Sequence, residues 1–420
     1  LSCLDAAISI KISKHTSLPI IKIIKKLRNI LQSKNPSVIA LSTASAVSVT
    51  GLAFISPVIL LLKSSYQISS NEVQLTITIY LMAICVSQMF WGPLSDIIGR
   101  RKVLILGASL FSMGGFLASL NVPFEIFIFF RLLQGIGAAA CLSMPRVMLT
   151  ESYGATEASG KMSTLLAFMA IFPILSAAFG GLIGEIYGWQ MNFITLFAFG
   201  FIVFLLNYTY SPETIKNKGK KLSLKTTFLD FRSLLGQSAF LYFSGVSSIQ
   251  AAFFFSMAGF MPYQFERLGA SPSEYGLWFS LTSIGYIIGN IISKRYSNRV
   301  GLNKFALFGS SWCFLSIATM FLSEVPLISL PLTLASACFM FGLGNGFILA
   351  NVLVLALSSV EKKRVGSASG LLGAMQMLCG AVLGSLIVLV GGDQQFWLAL
   401  TILLSLSIVS ILCCYRAFVI

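Results

Sequence analysis

From residue 37 onward the chain alternates between long apolar runs and short polar intervals. The runs fall at 37–62, 73–94, 103–121, 124–147, 161–184, 189–209, 237–263, 275–293, 304–322, 326–357, 365–391 and 394–417. Most reach the roughly 20 residues a helix needs to cross a hydrocarbon core. Lipid offers backbone N–H and C=O groups no partner, so each run is expected to be an α-helix. Barrel strands need only about ten alternating residues and do not fit such lengths. The pattern therefore predicts an all-α polytopic membrane protein with twelve transmembrane helices, numbered here spans 1 to 12. Spans 10 and 11 are long and are expected to tilt or protrude.

The polar intervals divide this series in two. Residues 211–236, "SPETIKNKGKKLSLKTTFLDFRSLLG", form the longest of them and separate six spans from six. The halves echo each other about 200 residues apart: "STLLAFMAI" at 163–171 returns loosely as "SGLLGAMQM" at 369–377, and "IGRRK" has a weaker counterpart in "SNRVGLNK" at 297–304. A duplicated six-helix unit explains both, a plan common among transporters. The expected organisation is a basic leader (1–35), a first six-helix bundle (36–210), a cytoplasmic linker (211–236) and a second, pseudo-symmetric bundle (237–420). In the leader, "LPIIKIIKKLRNILQSK" at 18–34 mixes apolar and basic residues at near-helical spacing. It reads as an amphipathic helix lying on an anionic leaflet. The first long apolar run starts too late for a cleaved signal peptide.

Composition agrees and charge adds orientation. Only 10% of residues are charged, against 56% hydrophobic, where a soluble domain carries about 25% charged residues. The net charge of +15 could suggest nucleic acid, but its placement argues otherwise. If both termini are cytoplasmic, 26 of the 29 Lys/Arg fall on the inner side, two (Lys63 and Arg267) on the outer side, and Arg131 alone inside a span. The acids split evenly, as expected if Lys/Arg bias alone sets orientation. This predicts a multi-pass inner-membrane protein with both ends inside, a monomer with the bilayer and a small solute as its partners and no nucleic acid. The single histidine, His15, lies in the leader, and the eight cysteines show no zinc spacing. No metal or cofactor is expected. No paired intramembrane carboxylates or nucleophile elbow suggests an enzyme.

One charged knot interrupts the apolar pattern: "FWGPLSDIIGRRKV", residues 90–103. Gly92 and Pro93 are expected to close span 2, and Gly99 to allow a tight reversal. Asp96, Arg100, Arg101 and Lys102 then face the cytoplasm at helix ends. They could serve as a plain positive-inside anchor, or as a charge latch between helix termini. The spacing G-P-L-S-D-x-x-G-R-R-K is more specific than an anchor needs.

At these residues the chain resembles the major facilitator superfamily, and within it the Bcr/CflA drug-resistance branch. "VQLTITIYLMAICVSQMFWGPLSDIIGRRKVLILG" (73–107), "RLLQGIGAAACLSMPRVMLTESY" (131–153) and "FPILSAAFGGLIGEIYGWQMNF" (172–193) carry the likeness, in order, through the first half. The second half resembles the family mainly in helix pattern. The resemblance implies two bundles rocking about a central cavity. It assigns gating roles to Gly92, Asp96, Gly99, Arg100 and Arg101, and to Pro173, Gly180 and Gly181 on span 5. Span 5 departs from the antiporter pattern at Ala177, where proline is expected.

Arg131 lies about 12 Å down span 4 at the α-helical rise. A charge there must face protein or water. Gln134 follows on the same face, and Gly135 and Gly137 permit close helix approach. Pinning by neighbouring carbonyls and a role as a cavity cation both fit. The resembled branch places an acid four residues before a span-1 proline, but here Ala53 precedes Pro57. All fourteen acids map to loops or span ends, with Glu125, Glu185 and Glu266 as outer-rim candidates only. Proton coupling is thereby left open, and an unpaired Arg131 points to a solute that brings negative charge. Tyr80, Gln88, Gln250, Phe254, Asn345 and Gln376 complete the candidate substrate contacts. The expected function is secondary active transport of small organic solutes, foremost efflux of drugs or metabolites. A siderophore or carboxylate carrier without proton antiport, and a non-transporting solute sensor, are the alternatives.

Overall fold

A computed structural model describes residues 35–215, 224–326, 328–361 and 364–419. The leader helix expected over 18–34 lies outside these residues. Twelve apolar helices are long enough to cross a membrane: Val38–Tyr66, Ser70–Ile98, Arg100–Ala118, Phe124–Tyr153, Gly160–Tyr187, Trp189–Tyr210, Ser238–Arg267, Pro272–Ser297, Leu302–Glu324, Pro331–Ser358, Val365–Leu389 and Phe396–Ala417. Each coincides with an expected run, and no strand occurs among the described residues. An even number of crossings returns the chain to the side it left. The two ends of the described chain, residues 35 and 419, thus share one face of the bundle, called here the termini face, opposite the far face.

Several boundaries move for local reasons. Span 2 does not stop at Gly92–Pro93 but continues to Ile98. Proline within a helix removes one N–H donor without forcing an end where flanking packing holds the chain. Span 10 begins at Pro331, with the proline in the first turn, where its missing N–H costs nothing. Spans 4 and 5 show helical bonding without a break from Phe124 to Tyr187. Yet Arg131 reaches the Gly51 carbonyl, and Gly180 packs on Phe54. A straight helix would hold residues 131 and 180 about 73 Å apart, so the chain folds back between Tyr153 and Gly160.

Capping and turns repeat between the halves. Span 2 starts with a capping box of Ser69 and Glu72, and span 8 with one of Ser271 and Glu274; each satisfies two otherwise orphaned N–H groups. Spans 2 and 3 turn on the single residue Gly99 at φ +108°, and the chain enters span 9 through Gly301 at φ +96°. Side-chain-bearing residues disfavour that region. Helix pairing repeats as well: spans 3–4, 2–4 and 3–6 of the first half match 9–10, 8–10 and 9–12 of the second. Between the halves, span 2 meets span 11 and span 5 meets span 8.

Candidate transport site and gates

Span 1 supplies the first element of the site by breaking. Its helix runs from Val38 to Ala53, passes through a tight turn at Ser56–Val58, and resumes at Ile59. Pro57 sits in that turn and has no N–H to donate. Around it the bonding tightens, and the Ile55 N–H donates to Leu52 rather than Gly51. The Gly51 and Phe54 carbonyls are taken by side chains instead. Arg131 Nη2 donates to Gly51 O at 3.4 Å, and Asn192 Nδ2 to Phe54 O at 2.9 Å.

Arg131 is fully buried. Its Nε donates to the Thr76 carbonyl of span 2 at 3.2 Å, and Nη1 donates to Gln134 Oε1. The guanidinium lies over the Tyr80 ring, 4.4 Å from the centroid, with Phe193 at 5.7 Å. Tyr80 in turn donates its hydroxyl to Ser48 O at 2.9 Å. Carbonyl dipoles, one amide oxygen and two ring faces thus surround the charge. Among the described residues no carboxylate forms an ion pair with it, and Ala53, at the place of the expected acid, is buried.

The other candidates gather in separate places. Gln250 Nε2 donates to Ser410 Oγ on span 12 at 3.2 Å, and Asn345 Nδ2 donates to the Gln250 carbonyl at 3.3 Å. Gln376 Nε2 donates to Ser247 Oγ at 2.7 Å. Phe254 stacks on Phe279, which stacks on Tyr275. Gln88 lies where span 2 meets span 11: a Cβ added at Gly373 would come 2.8 Å from its Oε1. Its amide nitrogen is buried without a partner. The structure therefore brings Arg131, Gln134 and Tyr80 together, Gln250 with Asn345, and leaves Gln376, Phe254 and Gln88 in surroundings of their own.

The charged knot closes on itself and on the chain after span 6. Arg100 pairs with Asp96 Oδ1 at 2.5 Å and Glu151 Oε1 at 3.1 Å, and also donates to the Gly92 carbonyl and Ser95 Oγ. Its backbone N–H, first of span 3, donates to Glu213 Oε1 at 2.9 Å. An anion at a helix N-terminus is stabilised by the unpaired donors there. Arg101 donates to the Tyr208 carbonyl at 2.7 Å. Near the other end of the linker, Asp230 on the helix Leu224–Leu235 meets Arg364 at 3.7 Å and Ser367 Oγ at 3.3 Å. The linker thus carries one acid against each half.

The halves also meet through a seam toward the far face. Ser56 Oγ donates to the Ala258 carbonyl at 2.5 Å and shares a hydrogen bond with Tyr275 Oη at 2.8 Å. Thr78 and Ser385 hydroxyls lie 2.8 Å apart. Glu185 Oε2 accepts from the Ser273 N–H at 2.8 Å. Glycines set the spacing: an added Cβ at Gly181 would come 2.2 Å from the Pro272 carbonyl oxygen, and one at Gly276 would come 2.2 Å from that of Ala177. The Gln74 amide fits between Gly259 and Gly384 in the same way. Pro173 is buried a few turns nearer the termini face.

Sequence reasoning missed four contributors. Glu151 and Glu213 lie among loop acids with no local signal, although "SPET" directly after span 6 marks the latter. Gln74 looks like any polar residue near a helix start. Arg146 falls at the edge of the expected span 4, whereas the helix continues to Tyr153. A second arginine therefore lies inside a span.

Two six-helix halves, a breakable seam and a sealed polar core define a polytopic membrane protein built for alternating access. A profile of the Major Facilitator Superfamily matches residues 41–384, with a second match over 249–419. The chain belongs to that superfamily: it is a secondary active transporter of small organic solutes, and not an enzyme. It is 28% identical over 325 residues to the uncharacterised MFS-type transporter YdgK of Bacillus subtilis, covering 76% of this chain and 80% of that protein. It is 24% identical to the bicyclomycin resistance protein homolog of Haemophilus influenzae (83% and 88% covered) and 27% identical to the multidrug transporter MdfA of Yersinia pestis (81% and 84%). In fold it is similar to a D-xylose–proton symporter, with a TM-score of 0.74 at 15% identity over 90% of this chain and 96% of that one. The nucleoside transporter NupG gives 0.70 at 14% identity over 91% and 98%.

Proposed function

We propose that the protein exports amphipathic organic solutes, drugs among them, from the cytoplasm across the inner membrane as a monomer. Bodies spanning 36–210 and 237–420 rock against each other, with the linker 211–236 tying them. The seam carries this reading. It consists of glycine–carbonyl contacts, a few neutral hydrogen bonds worth about 1 kcal/mol each, and one charged bond from the Ser273 N–H to the exposed Glu185, so it can part without stranding a buried charge. The Lys/Arg bias supports a cytoplasmic termini face. On that assignment the conformer is shut toward the outside and waits for solute from within. The bicyclomycin-resistance and multidrug relatives support export and the solute class.

In this reading Arg100, Asp96 and Glu151 lock the cytoplasmic end of spans 2, 3 and 4 as one body, with Gly92, Gly99 and Arg101 shaping the hairpin. Pro173, Gly180 and Gly181 let span 5 slide on spans 1 and 8. Arg131 clamps spans 1, 2 and 4, and Gln88, Phe254 and Gln376 are nearer the solute path. The test is accumulation of ethidium and bicyclomycin in inside-out vesicles, with and without a pH gradient. Gradient-driven accumulation is expected under the efflux reading. Accumulation only in right-side-out vesicles would overturn it. The lack of a carboxylate beside Arg131 favours a second reading, a carboxylate carrier independent of protons. That reading requires carboxylate counterflow indifferent to the gradient.

A further inference from the structure

Span 4 carries two arginines fifteen residues apart, and their surroundings are opposite. Arg131 has three oxygen acceptors and two rings around it. Arg146 lies toward the termini face, seven residues or about 10 Å before the end of span 4 at Tyr153. Its side chain is half-buried, and its Nε is buried with no hydrogen-bond partner. Among the described residues, its Nη2 meets the Met169 sulfur of span 5, at 3.7 Å, and no oxygen acceptor. A thioether is a weak acceptor, while a guanidinium presents five donors in a planar fork. No carboxylate among the described residues pairs with it. A cation at this depth is costly until a partner arrives, and the partner that fills a guanidinium fork is a bidentate oxyanion.

We infer that Arg146 is an anion-binding position between spans 4 and 5 that takes the carboxylate of a transported solute. This deepens the export reading and rests on it: the seam closes the far face, so a solute arriving from the termini face reaches the level of Arg146 before that of Arg131. The same chemistry would suit the phosphate of an anionic lipid, and the test separates the two. Binding of naphthalene-2-carboxylate and of its uncharged isostere 2-naphthamide is measured by equilibrium dialysis on the full chain in nanodiscs. The discs contain phosphatidylcholine alone or with phosphatidylglycerol.

Wild-type protein is expected to prefer the carboxylate by about tenfold or more, the worth of a charge-assisted pair, in both kinds of disc. Arg146→Gln is expected to abolish the preference and Arg146→Lys to keep part of it. Met169→Glu, which brings an internal carboxylate to the guanidinium, is expected to abolish it as well, and covers the case in which Arg146→Gln fails to fold. Equal binding of the two probes by wild type, or a preference that survives Met169→Glu, overturns the assignment. Loss of carboxylate binding in phosphatidylglycerol discs identifies lipid as the occupant and also overturns it. Wild type that exports ethidium yet shows no preference sinks the anion site alone. Wild type that moves no solute sinks the export reading.

Discussion

Gly181→Ala tests whether glycine–carbonyl contacts hold the far face shut. The new methyl carbon would come 2.2 Å from the Pro272 carbonyl oxygen, where ordinary contact begins at 3.4 Å. That oxygen belongs to backbone, in the first turn of span 8, and cannot rotate away. Spans 5 and 8 must separate locally by roughly 1 Å, or strain must be absorbed elsewhere, at the about 1–3 kcal/mol typical of overpacking. Opening the far face removes the clash, so the penalty falls on the closed state alone. The closed-to-open ratio should then drop about 5- to 150-fold. Spin labels at the exposed far-face positions Ser65 and Gln395, in a cysteine-depleted background, report the distance between halves by pulsed electron resonance. The long-distance population should grow in Gly181→Ala. Gly245→Ala on span 7, whose added Cβ meets nothing within 4 Å, should match wild type. If both variants give the wild-type distribution, the contact does not set closure and the rocking argument loses its hinge.

Further outcomes follow from the same geometry. Pro57→Ala should lower the melting temperature in detergent despite alanine's better helix propensity. A repaired helix returns the Gly51 carbonyl to Ile55 and costs Arg131 a charged hydrogen bond of about 1.5–3 kcal/mol. Gly99→Ala should destabilise by about 1–2 kcal/mol through the positive φ, and Glu213→Ala in that background should recover little, since it relieves only the side-chain clash; thermal melts of both variants decide. Arg100→Lys keeps the charge but not the fork that serves Asp96, Glu151 and Gly92 together. Ethidium transport should fall while equilibrium ethidium binding holds, and a matching loss of binding would refute the latch.

The number and order of spans were legible because one physical rule fixes them: a backbone in lipid must close its own hydrogen bonds. Run length therefore maps onto helices with few alternatives. Helix ends were less legible. Pro93 and Gly92 look like a stop, but an apolar flank keeps the helix going to Ile98, where Gly99 ends it. The reversal between spans 4 and 5 has no such glycine marked by its φ; the shared contacts of Arg131 and Gly180 with span 1, and that of Arg146 with Met169, reveal it.

The site was legible in its residue types and less so in its pairings. Arg131 stands out in sequence because charge is rare in a span, and the missing acid at Ala53 made it look unsatisfied. Two of its three acceptors are main-chain carbonyls, one of them freed by Pro57, and a carbonyl has no letter of its own in a sequence. Arg146 shows the reverse. Placed by its neighbours at a span edge, it looks like an ordinary inner-face anchor, but the helix runs on past it to Tyr153 and no acceptor of comparable strength meets it among the described residues. In a membrane the cost of a charge depends on its acceptors more than on its depth. We therefore propose a structural role for the saturated Arg131 and a binding role for the unsaturated Arg146.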